Sequence, residues 1–223
     1  MTAPSGRTGV WVIVVAAGSG RRFGGAKQFR ELRGVRVLDR SVATAARRAD
    51  GVVVVLPVDA QTAALPPAVA GVAIEAVAGG ESRAESVRCG LAAVPDAADV
   101  ILVHDAARPL ATDELYRRVI TAVRGGADAV VPAIPIVDTV RRRGGTTVDR
   151  SELVAVQTPQ GFRADALRAA HAAGGDATDD ATLVELDGGT VVLVDGDPHN
   201  LKLTDPLDFD VAGSILDLDG AGS

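Results

Sequence analysis

The residues of this chain that could bind phosphate begin with a glycine-rich turn inside residues 10–28, which follows an apolar, β-branched segment. Gly18 and Gly20 would let the backbone approach an anion closely, and Arg22 and Lys27 add positive charge. We interpret this stretch as a triphosphate-binding loop at the end of a buried parallel strand. The structural alternative is a glycine-rich turn with solvated arginines.

Two better-known glycine loops fit this stretch poorly. Phe23 stands where a Gly-x-Gly-x-x-Gly dinucleotide loop has its third glycine. No Gly-Lys-Ser/Thr sequence closes the turn as it does in a P-loop. A nicotinamide-dependent oxidoreductase is therefore disfavoured.

Three more polar clusters follow strand-like segments, at residues 79–83, 104–109 and 200–204. Ligands of open parallel sheets bind beyond the carboxyl ends of the strands, so we expect these clusters to gather beside the first loop. Asp105 can accept hydrogen bonds from substrate hydroxyls or contact a metal ion, and Arg108 can bind a phosphate through two N–H groups. The structural alternatives are a helix cap for the first cluster and an Asp–Arg pair bracing a turn for the second.

Lysine is rare in this chain: of 23 basic residues, only Lys27 and Lys202 are lysine. Compositional bias would explain this, but both positions would also suit a compact, mobile charge better than a planar guanidinium. Lys202 is predicted to lie in a nearly buried strand, where an unpaired ammonium is costly.

The composition limits the class of protein. The 223 residues, 47% of them hydrophobic, fit one α/β domain over residues 1–223. A net charge of −6 disfavours a nucleic-acid-binding protein. The single Cys89 excludes an intramolecular disulfide, and neither a signal peptide nor a membrane-spanning run is evident, so we expect a cytoplasmic protein. No Cys/His cluster indicates zinc, and His171 is predicted to be exposed on a polar helix.

Strand-like and helix-like segments alternate along the chain, which predicts a mostly parallel sheet with helices on both faces. The predicted strands are residues 10–16, 51–56, 72–77, 100–103, 129–134 and 191–194. The predicted helices are residues 37–49, 82–94, 112–124, 165–173, 179–186 and 206–218.

Residues 135–158 break this alternation. Two short β-prone runs flank Gly144 and Gly145, which predicts a hairpin that protrudes as a β-arm. An isolated hairpin is marginally stable in water, so we expect the arm to pack against a second copy of the chain in a homodimer.

Taken together, the motifs resemble the 2-C-methyl-D-erythritol 4-phosphate cytidylyltransferases of the non-mevalonate isoprenoid pathway. His-Asp-Ala-Ala-Arg-Pro and Thr-Pro-Gln are the most specific of them. The matching segments are residues 16–22, 27–29, 80–87, 104–109, 158–160 and 200–204, in the order of the family and over nearly the whole chain.

The resemblance implies a Rossmann-like nucleotidyltransferase fold with a dimerising β-arm. It implies that CTP and Mg²⁺ react with methylerythritol phosphate to give 4-diphosphocytidyl-2-C-methyl-D-erythritol and pyrophosphate. Arg22 and Lys27 would stabilise charge on the reacting phosphates, and Lys202 and Arg150, the latter acting in cis or across a dimer, would align the acceptor phosphate. The implied acceptor-binding residues are Asp105, Arg108, Thr139, Thr158 and Thr178. The implied nucleotide-binding residues are Ala16, Ala17, Gly18, Gly20, Gly80, Glu81, Ser86 and Ala106.

The chain departs from the family pattern in three places: Ala26 replaces the usual proline before Lys27, the loop between Arg22 and Lys27 is short, and Glu81 replaces a common aspartate. The metal ligands stay open, with Asp105 as a candidate. A ribitol 5-phosphate cytidylyltransferase remains an alternative with the same chemistry. A non-catalytic nucleotide-binding module is a second alternative, which the two isolated lysines disfavour.

Overall fold

The computed structural model describes residues 9–18, 25–60, 65–175, 177 and 179–220. The strands are β1 Gly9–Val15, β2 Glu31–Leu32, β3 Val35–Arg36, β4 Gly51–Leu56, β5 Ala68–Val69, β6 Val72–Ala78, β7 Ala98–Asp105, β8 Ala129–Pro135, β9 Val154–Val156, β10 Gln160–Arg163 and β11 Val191–Asp195. The helices are α1 Val37–Ala46, α2 Arg83–Ala93, α3 Asp113–Arg124, α4 Ala164–Ala172, α5 Asp180–Leu186 and α6 Pro206–Gly220.

Most of these strands form one sheet with β1 near its centre. The order is β11-β8-β10-β7-β1-β4-β6-β5, with β9 paired to β8 outside this path. β1 is parallel to both β7 and β4, and β4 is parallel to β6. The predicted mostly parallel sheet is confirmed. β10 was not predicted; it lies antiparallel between β7 and β8.

Helices cover both faces of the sheet, as predicted. Along β1, Val12 and Val14 belong to one apolar cluster with residues of α1 and α3. Ile13 points the other way and belongs to a second cluster with residues of α2, α4 and α5. This division follows from the period of two residues along a strand, and each fully buried valine contributes roughly 1.5–3 kcal/mol by leaving water.

Two local predictions were wrong. Residues 200–204 do not form a strand; they run as irregular chain, anchored where the Leu203 amide donates to the Ala107 carbonyl at 2.8 Å. Leu203 is buried while the Lys202 side chain is 43% exposed, so this lysine is not in a nearly buried strand. His171, predicted to be exposed, is only 4% exposed because it packs against a buried carboxylate of α5.

The arm after β8 contains a short hairpin. The Val148 amide donates to the Val140 carbonyl at 2.8 Å, and Arg141 and Thr147 form an isolated β-bridge. Gly144 takes a φ of +71° at the turn, a conformation that glycine adopts without strain. At the base of the arm, β9 pairs antiparallel with the end of β8. The arm is largely exposed in the single chain.

None of the helices in the described part of the chain has the length and apolar character that crossing a membrane requires.

Candidate active site

A cavity of about 590 Å³ opens beyond the carboxyl ends of β1, β6 and β7. This is the edge of the sheet at which the sequence predicts ligand binding. The cavity is lined by Val15, Ala16, Ala17, Gly18, Lys27, Gln28, Gly80, Glu81, Ser82, Arg83, Ser86, Asp105, Ala106, Ala107, Lys202 and Thr204.

One wall of the cavity consists of main chain and very small side chains. A Cβ at Gly79 would lie 2.5 Å from the Ala17 Cβ, so the chain between β6 and α2 approaches β1 only because glycine stands there. Gln28 fixes the turn after β1, since its Nε2 donates to the Ala16 carbonyl at 2.8 Å and to the Gly18 carbonyl at 3.1 Å. This wall therefore presents main chain and methyl groups, with no bulky side chain, to the cavity.

The N-terminus of α2 faces the same cavity. Ser82 caps the helix by accepting from the Glu85 amide at 3.1 Å, and the Glu85 carboxylate accepts from the Ser82 and Glu81 amides. The Ser86 hydroxyl donates to the Ser82 carbonyl at 2.9 Å. The helix cap, which was the structural alternative for this cluster, is therefore present, and the positive end of the helix dipole also favours an anion here.

A second part of the lining, the charged wall, carries charged side chains. The Lys202 ammonium lies 2.6 Å from one oxygen of Asp105, and the Arg83 guanidinium lies 3.7 Å from the other. Burial opposes ionisation of Asp105, but the positive charges of Lys202 and Arg83 outweigh it and lower the pKa of this carboxyl to about 2. Asp105 is therefore an anion at neutral pH and can only accept hydrogen bonds.

A buried hydrogen-bond network supports Asp105 from behind. The Thr158 hydroxyl accepts from the Asp105 amide at 3.0 Å and lies 3.2 Å from Nδ1 of His104. Nε2 of His104 lies 3.2 Å from the Arg108 carbonyl, which can only accept. One assignment satisfies every group: His104 donates from Nε2 and accepts at Nδ1 from Thr158. This network fixes the end of β7.

His104 should make the protein acid-sensitive. Its complete burial lowers the pKa of this imidazole to about 4, against roughly 6.5 for an unfolded histidine. The unfolded chain therefore takes up the proton first, and we expect His104 to remove on the order of 3 kcal/mol of stability as the pH falls from about 6.5 to 4. In urea titrations over this range, His104→Gln should show a shallower pH dependence; an identical slope for both proteins would contradict this assignment.

Most, but not all, of the predicted site residues lie at this cavity. The predicted residues that line the cavity are Ala16, Ala17, Gly18, Lys27, Gly80, Glu81, Ser86, Asp105, Ala106 and Lys202. Thr158 is buried behind Asp105, and Arg108 donates to the carbonyls of Asn200 and Val156. Thr139 and Arg150 lie on the arm. Gly20, Arg22 and Thr178 fall outside the described residues.

Sequence reasoning assigned no role to several lining residues. The most important of them is Arg83. It was missed because its partner Asp180 lies 97 positions away in the chain, so the sequence around Arg83 does not indicate the pair. Gln28 and Thr204 also went unassigned. For Gln28 a signal was available, because it directly follows Lys27 in the sequence. In the structure its side chain is buried, and a buried polar side chain needs hydrogen-bond partners, which here are backbone carbonyls.

Comparison with known proteins agrees with this geometry. The sequence model of the family described as 2-C-methyl-D-erythritol 4-phosphate cytidylyltransferase matches residues 10–218. The chain belongs to this family. It is a nucleotidyltransferase that transfers a cytidylyl group from CTP to 2-C-methyl-D-erythritol 4-phosphate.

Individual relatives of this cytidylyltransferase support the assignment. The 2-C-methyl-D-erythritol 4-phosphate cytidylyltransferase of Nocardia farcinica is 46% identical, covering 93% of this chain and 94% of the relative. A bifunctional IspD/IspF enzyme of Clavibacter michiganensis is 45% identical over 95% of this chain, which spans 56% of that longer protein. The crystal structure of the cytidylyltransferase from Thermus thermophilus covers 92% of this chain and 98% of its own, with a TM-score of 0.78 and 36% identity.

Proposed function

We propose that the cavity at the carboxyl edge of the sheet performs the cytidylyl transfer. One observation carries this proposal: Lys27 and Lys202, the only lysines of the sequence, line the same cavity although they are 175 positions apart along the chain. A site where one phosphate attacks another needs positive charge on both reacting groups, because both carry negative charge.

The nucleotide is placed against the main-chain wall. The cytosine and ribose are assigned to the lining at Ala16, Ala17 and Gly80, where no side chain is larger than a methyl group. The triphosphate extends towards the N-terminus of α2 and the ammonium of Lys27, which balance its charge. Arg22 is assigned to the same phosphates by its place in the glycine-rich turn.

The acceptor occupies the charged wall. Lys202 binds its phosphate, and the Asp105 carboxylate accepts hydrogen bonds from its hydroxyls. An oxygen of this phosphate attacks the α-phosphorus of CTP, and the bond between the α-phosphorus and the bridging oxygen to the β-phosphate breaks as pyrophosphate leaves. A phosphate is already ionised at neutral pH, so the reaction needs positioning and charge stabilisation rather than a general base.

The residues present fit a Mg²⁺ ion held mainly by the ligand. Mg²⁺ commonly keeps several waters and takes one or two carboxylates together with substrate phosphates. Among the described residues there is no cluster of three or more metal-ligating side chains, whereas Asp105 offers one ionised carboxylate at the cavity. When bound, the ion would neutralise triphosphate charge.

The direct test is pyrophosphate release from CTP, with 2-C-methyl-D-erythritol 4-phosphate and ribitol 5-phosphate offered in parallel. We expect release with the first acceptor in the presence of Mg²⁺ and a kcat/KM lower by at least about tenfold with the second. Preference for ribitol phosphate would overturn the acceptor assignment. CTP binding without any release would favour a binding module.

The arm is assigned to a homodimer interface. It exposes apolar side chains, among them Val137, Val154 and Val156. Exposed apolar residues on a projecting hairpin are typical of a surface that packs on a partner. Arg150 lies on this arm, where it donates to the Val137 carbonyl. Because the arm would pack on the partner, Arg150 is assigned to the acceptor phosphate in the partner's cavity, and Thr139 is assigned to the same acceptor.

Complementation tests the assignment of Arg150 to the partner. Arg150→Ala should raise the KM of the acceptor by at least about tenfold and that of CTP by much less, because one phosphate ligand is lost. Coexpressed Arg150→Ala and Lys27→Ala chains should form a mixed dimer with one intact site and recover activity. No recovery, or a monomer in light scattering at micromolar concentration, would exclude action across a dimer.

A further inference from the structure

A chain of charged side chains leads from the cavity into the protein interior. The Lys202 ammonium contacts Asp105 at 2.6 Å, and the Arg83 Nε lies 3.7 Å from the other oxygen of that carboxylate. The Arg83 Nη1 donates to Asp180 at 2.7 Å, and the second oxygen of Asp180 lies 3.1 Å from Nε2 of His171. These side-chain contacts connect the end of β7, the start of α2 and the start of α5.

Arg83 is held much more firmly than Lys202. Its side chain is 25% exposed and its partner Asp180 is 1% exposed, whereas Lys202 is 43% exposed. A buried carboxylate is costly unless it is paired, so Asp180 keeps the guanidinium in place. Lys202 has a flexible stem and is free to exchange its partner.

This difference matters when the acceptor arrives. Its phosphate competes with Asp105 for the Lys202 ammonium, since in the ligand-free chain that ammonium already makes a direct ion pair. If Lys202 turned away and nothing replaced it, Asp105 would be left as a largely buried, uncompensated anion. Arg83 stands close enough to Asp105 to take over that charge.

We propose that Arg83 is a positioning residue that holds the Asp105 carboxylate in place and stays beside it as a cation while Lys202 shifts from Asp105 to the acceptor phosphate. The proposal rests on the function proposed above, because it assumes an acceptor phosphate at Lys202. Asp180 is the anchor of Arg83, and its burial at the start of α5 prevents the guanidinium from following the ligand. Without Arg83, Asp105 would retain Lys202 and the acceptor would bind more weakly.

Steady-state kinetics tests the proposal. Arg83→Gln leaves Asp180 unpaired and should lower the Tm, so the double variant Arg83→Gln/Asp180→Asn is the informative protein, with two neutral amides in place of the ion pair. We expect it to regain most of the lost Tm while the KM of the acceptor stays at least about tenfold raised and that of CTP changes less than about threefold. Arg83→Lys, which keeps a positive charge, should have an acceptor KM between those of the unmodified protein and the double variant.

A matched control removes a positive charge from the same helix. Arg88 of α2 donates to the Gly175 carbonyl on the exposed side and does not line the cavity. Arg88→Gln should leave both KM values unchanged. Equal changes in the two KM values of the stable double variant, or no change, would show that Arg83 is structural only and would overturn the proposal.

Binding of inorganic phosphate provides a readout that needs no turnover and so separates this proposal from the proposed reaction. In calorimetry the double variant should bind phosphate at least about tenfold more weakly than the unmodified protein, because Lys202 stays on Asp105. In an Asp105→Asn background the same pair of substitutions should have little effect. An undiminished effect there would mean that Arg83 acts on phosphate directly, and the proposal would be wrong.

Discussion

Lys27→Ala is expected to lower kcat by about 10²- to 10³-fold, the range seen when one preorganised group that stabilises transition-state charge is removed. Lys27 lines the cavity to which the triphosphate is assigned in the proposed reaction. Its ammonium would compensate charge that accumulates on the departing pyrophosphate, an interaction that strengthens in the transition state. The KM of CTP should change much less than kcat. Pyrophosphate release under saturating substrates measures the effect.

Two further variants make this result interpretable. Lys27→Arg keeps the charge but replaces a compact ammonium with a planar fork, so it should restore only part of the rate. Arg124→Gln removes one positive charge at the end of α3 without touching the cavity and should leave kcat unchanged. Turnover of Lys27→Ala close to that of the unmodified protein, with an unchanged Tm, would remove Lys27 from the reaction.

Lys202→Ala is expected to lower kcat/KM for the acceptor by about 10²-fold, because a charge-assisted contact to its phosphate is lost and Asp105 loses its nearest cation. The substitution should also act on stability. Asp105 contributes stability above its unfolded pKa of roughly 3.9, and this contribution is lost as the pH falls towards the folded pKa of about 2. Without Lys202 the folded pKa rises, so the stabilisation by Asp105 shrinks.

The two effects of Lys202→Ala can be separated in one series. Adding Asp105→Asn removes the carboxylate that has lost its nearest cation and keeps only Arg83 beside it, and should recover part of the free energy of unfolding at pH 5–7 without recovering the acceptor kcat/KM. Urea titration and kinetics on the same samples provide both measurements. A variant Lys202→Ala with normal acceptor kinetics would refute the role of Lys202, whatever its stability.

The sheet was predictable where the sequence pattern is local. The apolar run at residues 51–56 coincides with β4, and the predicted 10–16 differs from β1 by one residue at each end. β10 was not predictable in this way, because its four residues include a glutamine, a glycine and an arginine. Its position is set by pairing with β7 and β8 on either side, which no local pattern encodes. The strand predicted at residues 200–204 was wrong for the opposite reason. Apolar residues alternate in this segment, but it is not paired with a neighbouring strand.

Those residues of the candidate site were predictable that are charged and directly follow or end an apolar strand-like segment. Asp105 ends β7 and meets Lys202 in the cavity, as the sequence suggested. Arg83 and His171 were not recognised, because both depend on the buried Asp180. A titratable group buried by tertiary packing has no signature in its own segment, so His171 was predicted to be exposed.

The two walls of the cavity differ in how they can evolve. Ala16, Ala17, Gly80 and Ala106 present main chain or a methyl group, and apart from alanine to glycine every substitution there adds bulk, as the 2.4 Å approach of a Cβ at Gly80 to the Glu85 Cβ illustrates. With the nucleotide placed there as proposed above, point mutations have few ways to change which nucleotide is accepted. The charged wall includes the long side chains of Arg83 and Lys202, which other residues can replace. Divergence within this architecture is expected to retain the activated donor and alter the alcohol, and inhibitors aimed at the nucleotide wall should meet fewer viable escape mutations.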